Sequence, residues 1–355
     1  MKAPHLSPRL FASLLLACLL LTPISTPAND GFGGLTATGL QFSQTAAVEM
    51  ASEDLFLSPD QVRVRSLFRN HTGEEVRGEV IFPLPPIALA NLRDSAFALA
   101  EDKLRRQNMV DFVALVDGRR IAVNIERIAV VEPPYEEGRR PSASYDAPGE
   151  DITALLKSLG IPLSVEIDQV ALALTRLSPS ARERLKARGL AAFPDSEPPT
   201  PAWSIIERYH WTQTFASGKE VTIEHRYHPA PPGGIFVWPA QGAELDPYQR
   251  QLIATYCIDG PTQRAIGRLL HPPTRTEYPG TGNAVLLDYV LTTANTWKGP
   301  INRFHLTIDK GRAGNVLSLC IDGLRKTGPT TFEVDKTDFR PEHDLRLLIV
   351  SALDN

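Results

Sequence analysis

Val62-Arg-Val-Arg-Ser-Leu-Phe-Arg-Asn70, then His-Thr-Gly73, then Val76-Arg-Gly-Glu-Val-Ile-Phe82, is the stretch that decides the fold class. Val62, Val64 and Phe68 alternate with Arg63, Arg65 and Arg69, the period-2 pattern of a strand with one face in a core and one in water. Asn70-His-Thr-Gly73 is turn chemistry. Val76, Val80 and Phe82 then repeat the alternation. A hairpin with Phe68 opposite Val76 and Val64 opposite Val80 sets Arg69 against Glu75 and Arg65 against Glu79. Apolar pairs then share one face and opposite charges the other, so pattern and register agree. Phe82-Pro-Leu-Pro-Pro86 ends the strand, because proline cannot donate to a ladder.

The same grammar continues outward. Phe112–Val116, the turn pair Asp117-Gly118 and Arg119–Ile125 predict a second hairpin, with sheet to about Val131. Residues 132–149 are rich in Pro, Gly, Ser and charge and predict a loop. The period then changes. Asp151 caps a helix carrying Leu155, Leu156 and Leu159, stopped by Gly160 and Pro162, and Ser178-Pro179 opens another that Gly189 closes. Residues 193–201 form a stiff proline-rich linker. Strand returns at Trp203, with Ala216-Ser-Gly218 as a three-residue hairpin loop. That register sets Trp211 opposite Ile223, Tyr209 opposite His225, Gln213 opposite Val221 and His210 opposite Glu224. Asp246-Pro247 and Gly260-Pro261 start helices over about 247–257 and 261–270. Strands are predicted at 284–292, 302–309, 315–321, 330–335 and 344–350.

The expectation is a mainly β (α+β) protein. Its parts are a β-sandwich-like unit over 29–149, a helical insertion and linker over 150–201, and a β-rich unit with two short helices over 202–355. The 355 residues are ample for a core, and 43% apolar and 22% charged content is ordinary for a globular chain. Thirty prolines favour turns over long helices. Net charge is −4, so no basic excess exists to neutralise phosphates, and nucleic acid is not an expected partner.

Residues 1–28 have signal-peptide form. Lys2 and Arg9 precede the apolar run Leu10–Leu21, too short to span a bilayer comfortably, and small residues flank a cut after Ala28. Leu15-Leu-Ala-Cys18 resembles a lipobox, and lipidation at Cys18 is the alternative processing. No later stretch has the length of a transmembrane helix. The expected location is periplasmic or secreted, and loss of Lys2 and Arg9 takes the charge from −4 to −6. Cys257 and Cys320 then remain, and an oxidising compartment favours one disulfide between them, with two separate thiols as the alternative.

Candidate chemistry is sparse. There is no Gly-x-Ser-x-Gly, P-loop, His-Glu-x-x-His or Cys-x-x-Cys, and no motif implies a cofactor. Pro279-Gly-Thr-Gly282 matches a dinucleotide loop only in part. His210, Glu224 and His228 lie on one predicted face and have the ligand types of a transition-metal site. At strand rise, however, His210 and His228 lie about 13 Å apart, and a polar sheet face is the plainer reading. Cys257-Ile-Asp259 and Cys320-Ile-Asp322 share a tripeptide, so a disulfide would draw Asp259 and Asp322 together for acid–base work or Ca²⁺. Each also has a plain role, Asp259 as a helix cap and Asp322-Gly323 as a turn. Asp335 and Asp338 also sit near turns. Trp203, Trp211, Trp238 and Trp297 suit a core better than a sugar-stacking platform. Asn70-His-Thr72 matches a glycosylation sequon, a short and unspecific pattern.

Glu49-Met-Ala-Ser-Glu-Asp-Leu-Phe-Leu-Ser58, Val62-Arg-Val-Arg65, Phe82-Pro-Leu-Pro85, His225-Arg-Tyr-His-Pro229, Tyr256-Cys-Ile-Asp259, Trp297-Lys-Gly-Pro300 and Lys336-Thr-Asp-Phe339 follow one another along the chain. In that order they resemble an exported bacterial family, domain of unknown function 4424. The resemblance implies a periplasmic location and supplies no reaction or catalytic residue. Phe82-Pro-Leu-Pro85 with Asp117-Gly-Arg119 is also similar to the β-sandwich VIT module of extracellular proteins, a likeness of fold alone. The functional expectation is a non-enzymatic binding or interaction module of the cell envelope, with an envelope protein or a glycan as partner. The alternative is a metal-dependent or acid–base hydrolase using the His210/Glu224 face or the Asp259/Asp322 pair.

Overall fold

The alternating segments become strands of two large sheets packed face to face. The computed structural model describes residues 30–36, 39–93, 101–131, 149–231, 233–273 and 278–353. The expected signal peptide, Cys18 and most of the 132–149 loop lie outside these residues. One sheet runs Gly39–Phe42, Gly31–Thr36, Val76–Pro83 and Ser204–Phe215, the last also pairing with Ile87–Ala88 and Asn124–Val130. The other runs, in spatial order, Arg325–Lys326, Thr331–Phe339, Ile301–Asp309, Val48–Leu57, Val62–Asn70, Glu220–Tyr227, Val113–Val116 and Arg119–Arg120. Neighbours in this sheet are antiparallel except Ile301–Asp309 against Val48–Leu57, which are parallel. The protein is mainly β, as expected.

Two hairpins expected from the alternation do not form. Val62–Asn70 and Val76–Pro83 lie in different sheets, and so do Ser204–Phe215 and Glu220–Tyr227. The chain crosses from sheet to sheet at 70–76 and at 215–220. The inward faces were read correctly, because alternation reports which side of a strand is apolar. It does not report whether the next apolar strand lies beside the first or across the core. Here it lies across: Phe68 meets Phe215 with ring centroids 6.0 Å apart, and Phe82 meets His225 at 4.3 Å. Trp211 pairs with Val80 in place of Ile223, and Tyr209 with Phe82 in place of His225.

Asn70 ties both crossings together. It is fully buried, and its side-chain amide donates to the carbonyls of Glu74 and Phe215, each at 2.8 Å. Its amide oxygen accepts from Thr72 N and Thr72 Oγ1, and its backbone N–H donates to Lys219 O at 3.1 Å. A sequon asparagine so engaged presents no free amide.

Elsewhere local signals hold. Asp117 and Gly118 both have positive φ, as a two-residue hairpin turn between Val113–Val116 and Arg119–Arg120 requires. Ser178 caps Pro179–Ala187, and Asp246 with Gln249 forms a full capping box on Pro247–Tyr256. The helix Thr153–Ser158 starts beside Asp151, whose carboxylate accepts from Thr153 N. A further helix, Ile167–Thr175, has no side-chain cap and was not anticipated. Gly282 lies within the strand Thr281–Tyr289 instead of a nucleotide loop.

Strands from 29–149 and from 202–355 alternate within both large sheets, so these stretches share their ladders. Leu156, Val170, Leu174 and Leu185 of the helical segment join the same core. A four-stranded sheet, Gly233–Val237, Thr281–Tyr289, Leu345–Ala352 and Val316–Leu319, carries the helices Pro247–Tyr256 and Gly260–Leu270 over a second core. Cys257 and Cys320 form a disulfide with Cα atoms 5.1 Å apart, joining that helical pair to the end of the last-named strand. Closing 63 residues of sequence stabilises by about 4 kcal/mol in a chain-entropy account.

Asn70→Ala leaves buried carbonyls at both crossings without donors. It is expected to lower unfolding free energy by about 2–3 kcal/mol with an unchanged m value in urea. A loss below about 0.5 kcal/mol, the level of an ordinary surface substitution, contradicts the role given to this side chain.

Candidate functional site

The outward face of the eight-stranded sheet bears a groove of about 500 Å³. Its central walls come from four adjacent strands, and a β-bulge sets its chemistry. Pairing between Val48–Leu57 and Val62–Asn70 slips at Ala51, between Met50 and Ser52. One extra residue reverses the parity of the strand beyond it. Met50 points inward before the bulge, and Glu53, Leu55 and Leu57 do so after it. Asp54 and Phe56 are thereby turned outward into the groove.

Register stacks the outward residues in two rows. The first reads Asp335, His305, Asp54, Arg65, Glu224 and Leu115 across six consecutive strands. Along it the carboxylates Asp335, Asp54 and Glu224 alternate with His305 and Arg65. Arg65 Nε donates to Glu224 at 3.3 Å, and His305 Nδ1 lies 2.8 Å from Asp335, whose carboxyl this contact holds below its usual range. The second row reads Glu333, Thr307, Phe56, Arg63, Arg226 and Val113. The Arg63 guanidinium lies over the Phe56 ring, 4.2 Å from its centroid. The groove thus combines an aromatic ring, carboxylates, guanidiniums and a hydroxyl on rigid strands, the mixture used to fix a polar ligand.

Glu224 is a candidate from sequence that does line this groove. Its expected companions lie elsewhere. His210 stands in the opposite sheet, its Nδ1 2.8 Å from Glu79 Oε2, and Thr212 donates to the same carboxylate. His228 is exposed, its Nδ1 3.9 Å from Asp111. The crossing at 215–220 separates His210 from Glu224 and His228, and among the described residues no group of three His, Cys, Asp or Glu converges on a metal-sized space. Asp259 caps Gly260–Leu270 by accepting from Thr262 N, and hydrogen bonding to the Thr262 side chain first and to this N–H second keeps its carboxyl below its usual range. Asp322 sits in a turn with Gly323 at positive φ. Asp338 itself has positive φ. Trp203, Trp211, Trp238 and Trp297 are all buried, spread over two cores. Sequence reasoning passed over Asp54, Phe56, Arg63, Arg226, His305 and Thr307 as site residues. Arg63 was seen as outward-facing, but the strand that faces it was misassigned.

Beneath the groove, His225 points into the sandwich and is fully buried against Phe82 and Phe112. Burial pushes its imidazole pKa down to about 3. Its Nδ1 lies 3.6 Å from Asp30, whose carboxyl is raised by burial first and by Glu53 second. The imidazole is therefore uncharged near neutrality, and the contact is not a charged pair.

This architecture defines a strand-rich protein with an amphoteric groove on one sheet face. The chain belongs to the domain of unknown function family DUF4424, which it matches over residues 28–348. No curated protein matches it. Among solved structures it is similar to a Legionella pneumophila protein provisionally named as nutrient binding. Identity is 15%, coverage 86% of this chain and 68% of that one, and the TM-score 0.42. A Deinococcus radiodurans M1 zinc metallopeptidase with a bound Tyr-Ser-Ala substrate shows 6% identity and a TM-score of 0.24. The overlap covers 87% of this chain and 44% of that one. Both likenesses are distant.

The buried imidazole has a pH consequence. A folded pKa near 3 against 6.5 unfolded means the unfolded chain takes up a proton that the folded chain refuses. His225 therefore supports folding fully above pH 6.5 and loses that support as pH falls toward 3, at up to about 1.4 kcal/mol per pH unit. Urea unfolding across this range is expected to show a shallower acid decline for His225→Phe than for wild type. Equal slopes contradict a neutral buried His225.

Proposed function

We propose that this chain is an exported, non-enzymatic binding module of the cell envelope, and that it takes a glycan in the groove on its eight-stranded sheet. The observation that carries the reading is the paired rows on that face. Asp54, Arg65 and Glu224 alternate acceptors and donors at strand spacing, which suits successive hydroxyls. Phe56, which also lines the groove, supplies an apolar surface in the next row. All these side chains stand on paired strands, so little ordering is needed on binding. Export is supported by the charged and apolar order of residues 1–28 and by the Cys257–Cys320 disulfide, which an oxidising compartment preserves. Among the described residues no helix is long and apolar enough to cross a membrane.

Glycan prepared from the producing cell's own envelope is the test ligand. Titrated into the full chain, it is expected to bind wild type about tenfold more tightly than Phe56→Ala, near 1.4 kcal/mol. Tyr248→Ala, an exposed ring on the helix Pro247–Tyr256, should bind like wild type. Equal affinity of Phe56→Ala and wild type, or no binding by wild type, overturns the reading.

A further inference from the structure

The second row of the groove breaks a rule that the first obeys. Arg63 and Arg226 are direct cross-strand partners, and like charges in that position repel. The carboxylates of the neighbouring row, Asp54 and Glu224, stand opposite Arg65, two residue pairs along. On either side Arg63 and Arg226 are flanked by Phe56 and Val113, neither of which carries charge. Among the described residues no ion pair or hydrogen bond engages either guanidinium; that of Arg63 makes a cation–π contact with the Phe56 ring. Both residues are exposed, and both line the groove. Two guanidiniums without an ion-pair partner, borne by directly paired positions of adjacent strands, bring two sets of N–H donors to one part of this face, the chemistry that accepts a two-oxygen anionic group.

We propose that Arg63 and Arg226 form an anion subsite, and that the ligand of this groove carries an oxoanion, a carboxylate or a phosphoryl group, seated between them. The inference rests on the glycan reading of the same groove and narrows it to acidic saccharides. Seating the anion places the ligand's rings along Phe56 and its hydroxyls toward the row of Asp54, Arg65 and Glu224. Local repulsion in the empty protein is then relieved by the ligand, and that relief is part of what drives binding.

The full chain is titrated calorimetrically with sodium galacturonate, inorganic phosphate and neutral galactose, at constant ionic strength set by chloride, and melting is followed in parallel. Wild type is expected to bind galacturonate or phosphate and to melt higher with either. The arm that binds more tightly distinguishes a uronic carboxylate from a phosphoryl group. Arg226→Gln and Arg63→Gln should each weaken anion binding roughly tenfold or more, the loss expected of a charge-assisted contact. In chloride alone each variant should melt no lower than wild type, because the repulsion is gone. A response to galactose equal to that of the better-bound anion, no binding of either anion, or unchanged anion affinity in both variants overturns the subsite. The two readings fail separately. Galactose binding lost in Phe56→Ala but indifferent to both arginine variants leaves the glycan groove and removes the anion. Anion binding lost in the arginine variants but untouched by Phe56→Ala, with envelope glycan also unbound, keeps the subsite and removes the glycan.

Discussion

Everything on the outer sheet face depends on the chain leaving one sheet for the other at 70–76 and again at 215–220, and Asn70 holds both passages. Its buried amide satisfies one carbonyl from each, which no apolar side chain of that size does. Once both crossings are made, Val62–Asn70 and Glu220–Tyr227 become neighbours. These are the strands that bring Arg63 to Arg226 and Arg65 to Glu224. A pair of simple hairpins would have given Arg65 to Glu79 and His210 to Glu224, and there would be no groove of this composition. A single polar side chain at a corner thus stabilises the two crossings on which the meeting of charges on a solvent face depends.

What could be read from the sequence was periodicity and punctuation. Alternation at 62–69 and 220–227 identified the inward residues, and Ser178, Asp246, Asp259 and Gly189 marked helix ends through chemistry that acts within a few residues. Strand partners were not legible, because a sandwich offers each apolar face two kinds of neighbour, and an alternating pattern is satisfied by either. The bulge at Ala51 has no glycine or proline to announce it, yet it alone turns Asp54 and Phe56 outward and Glu53 inward. The helix Ile167–Thr175 was hidden for a similar reason: Glu166 at its N-cap makes no side-chain bond. Of the candidate site, Glu224 was in view while its true partner, Arg65, had been assigned to Glu79.

The dispersal of the other candidates has a common cause. A polar residue in a β protein is first a solution to a local need. Asp259 closes the N-terminus of a helix, Asp335 holds His305, and Glu79 gathers His210 and Thr212. Sequence proximity to a turn or a shared tripeptide carries no knowledge of these engagements. Arg63 and Arg226 differ because among the described residues no carboxylate pairs with either, and that imbalance, visible only once register is known, is what sets their row apart from Asp54, Arg65 and Glu224.

Backbone amide shifts of the full chain at saturating galacturonate test the central claim most directly, since they report where a ligand sits without assuming its partners. The account predicts that the largest changes fall at residues 54–56, 63–65, 224–226 and 305–307, on four adjacent strands of one face. Changes confined to the helices Pro247–Tyr256 and Gly260–Leu270, or spread evenly over the surface, would contradict it.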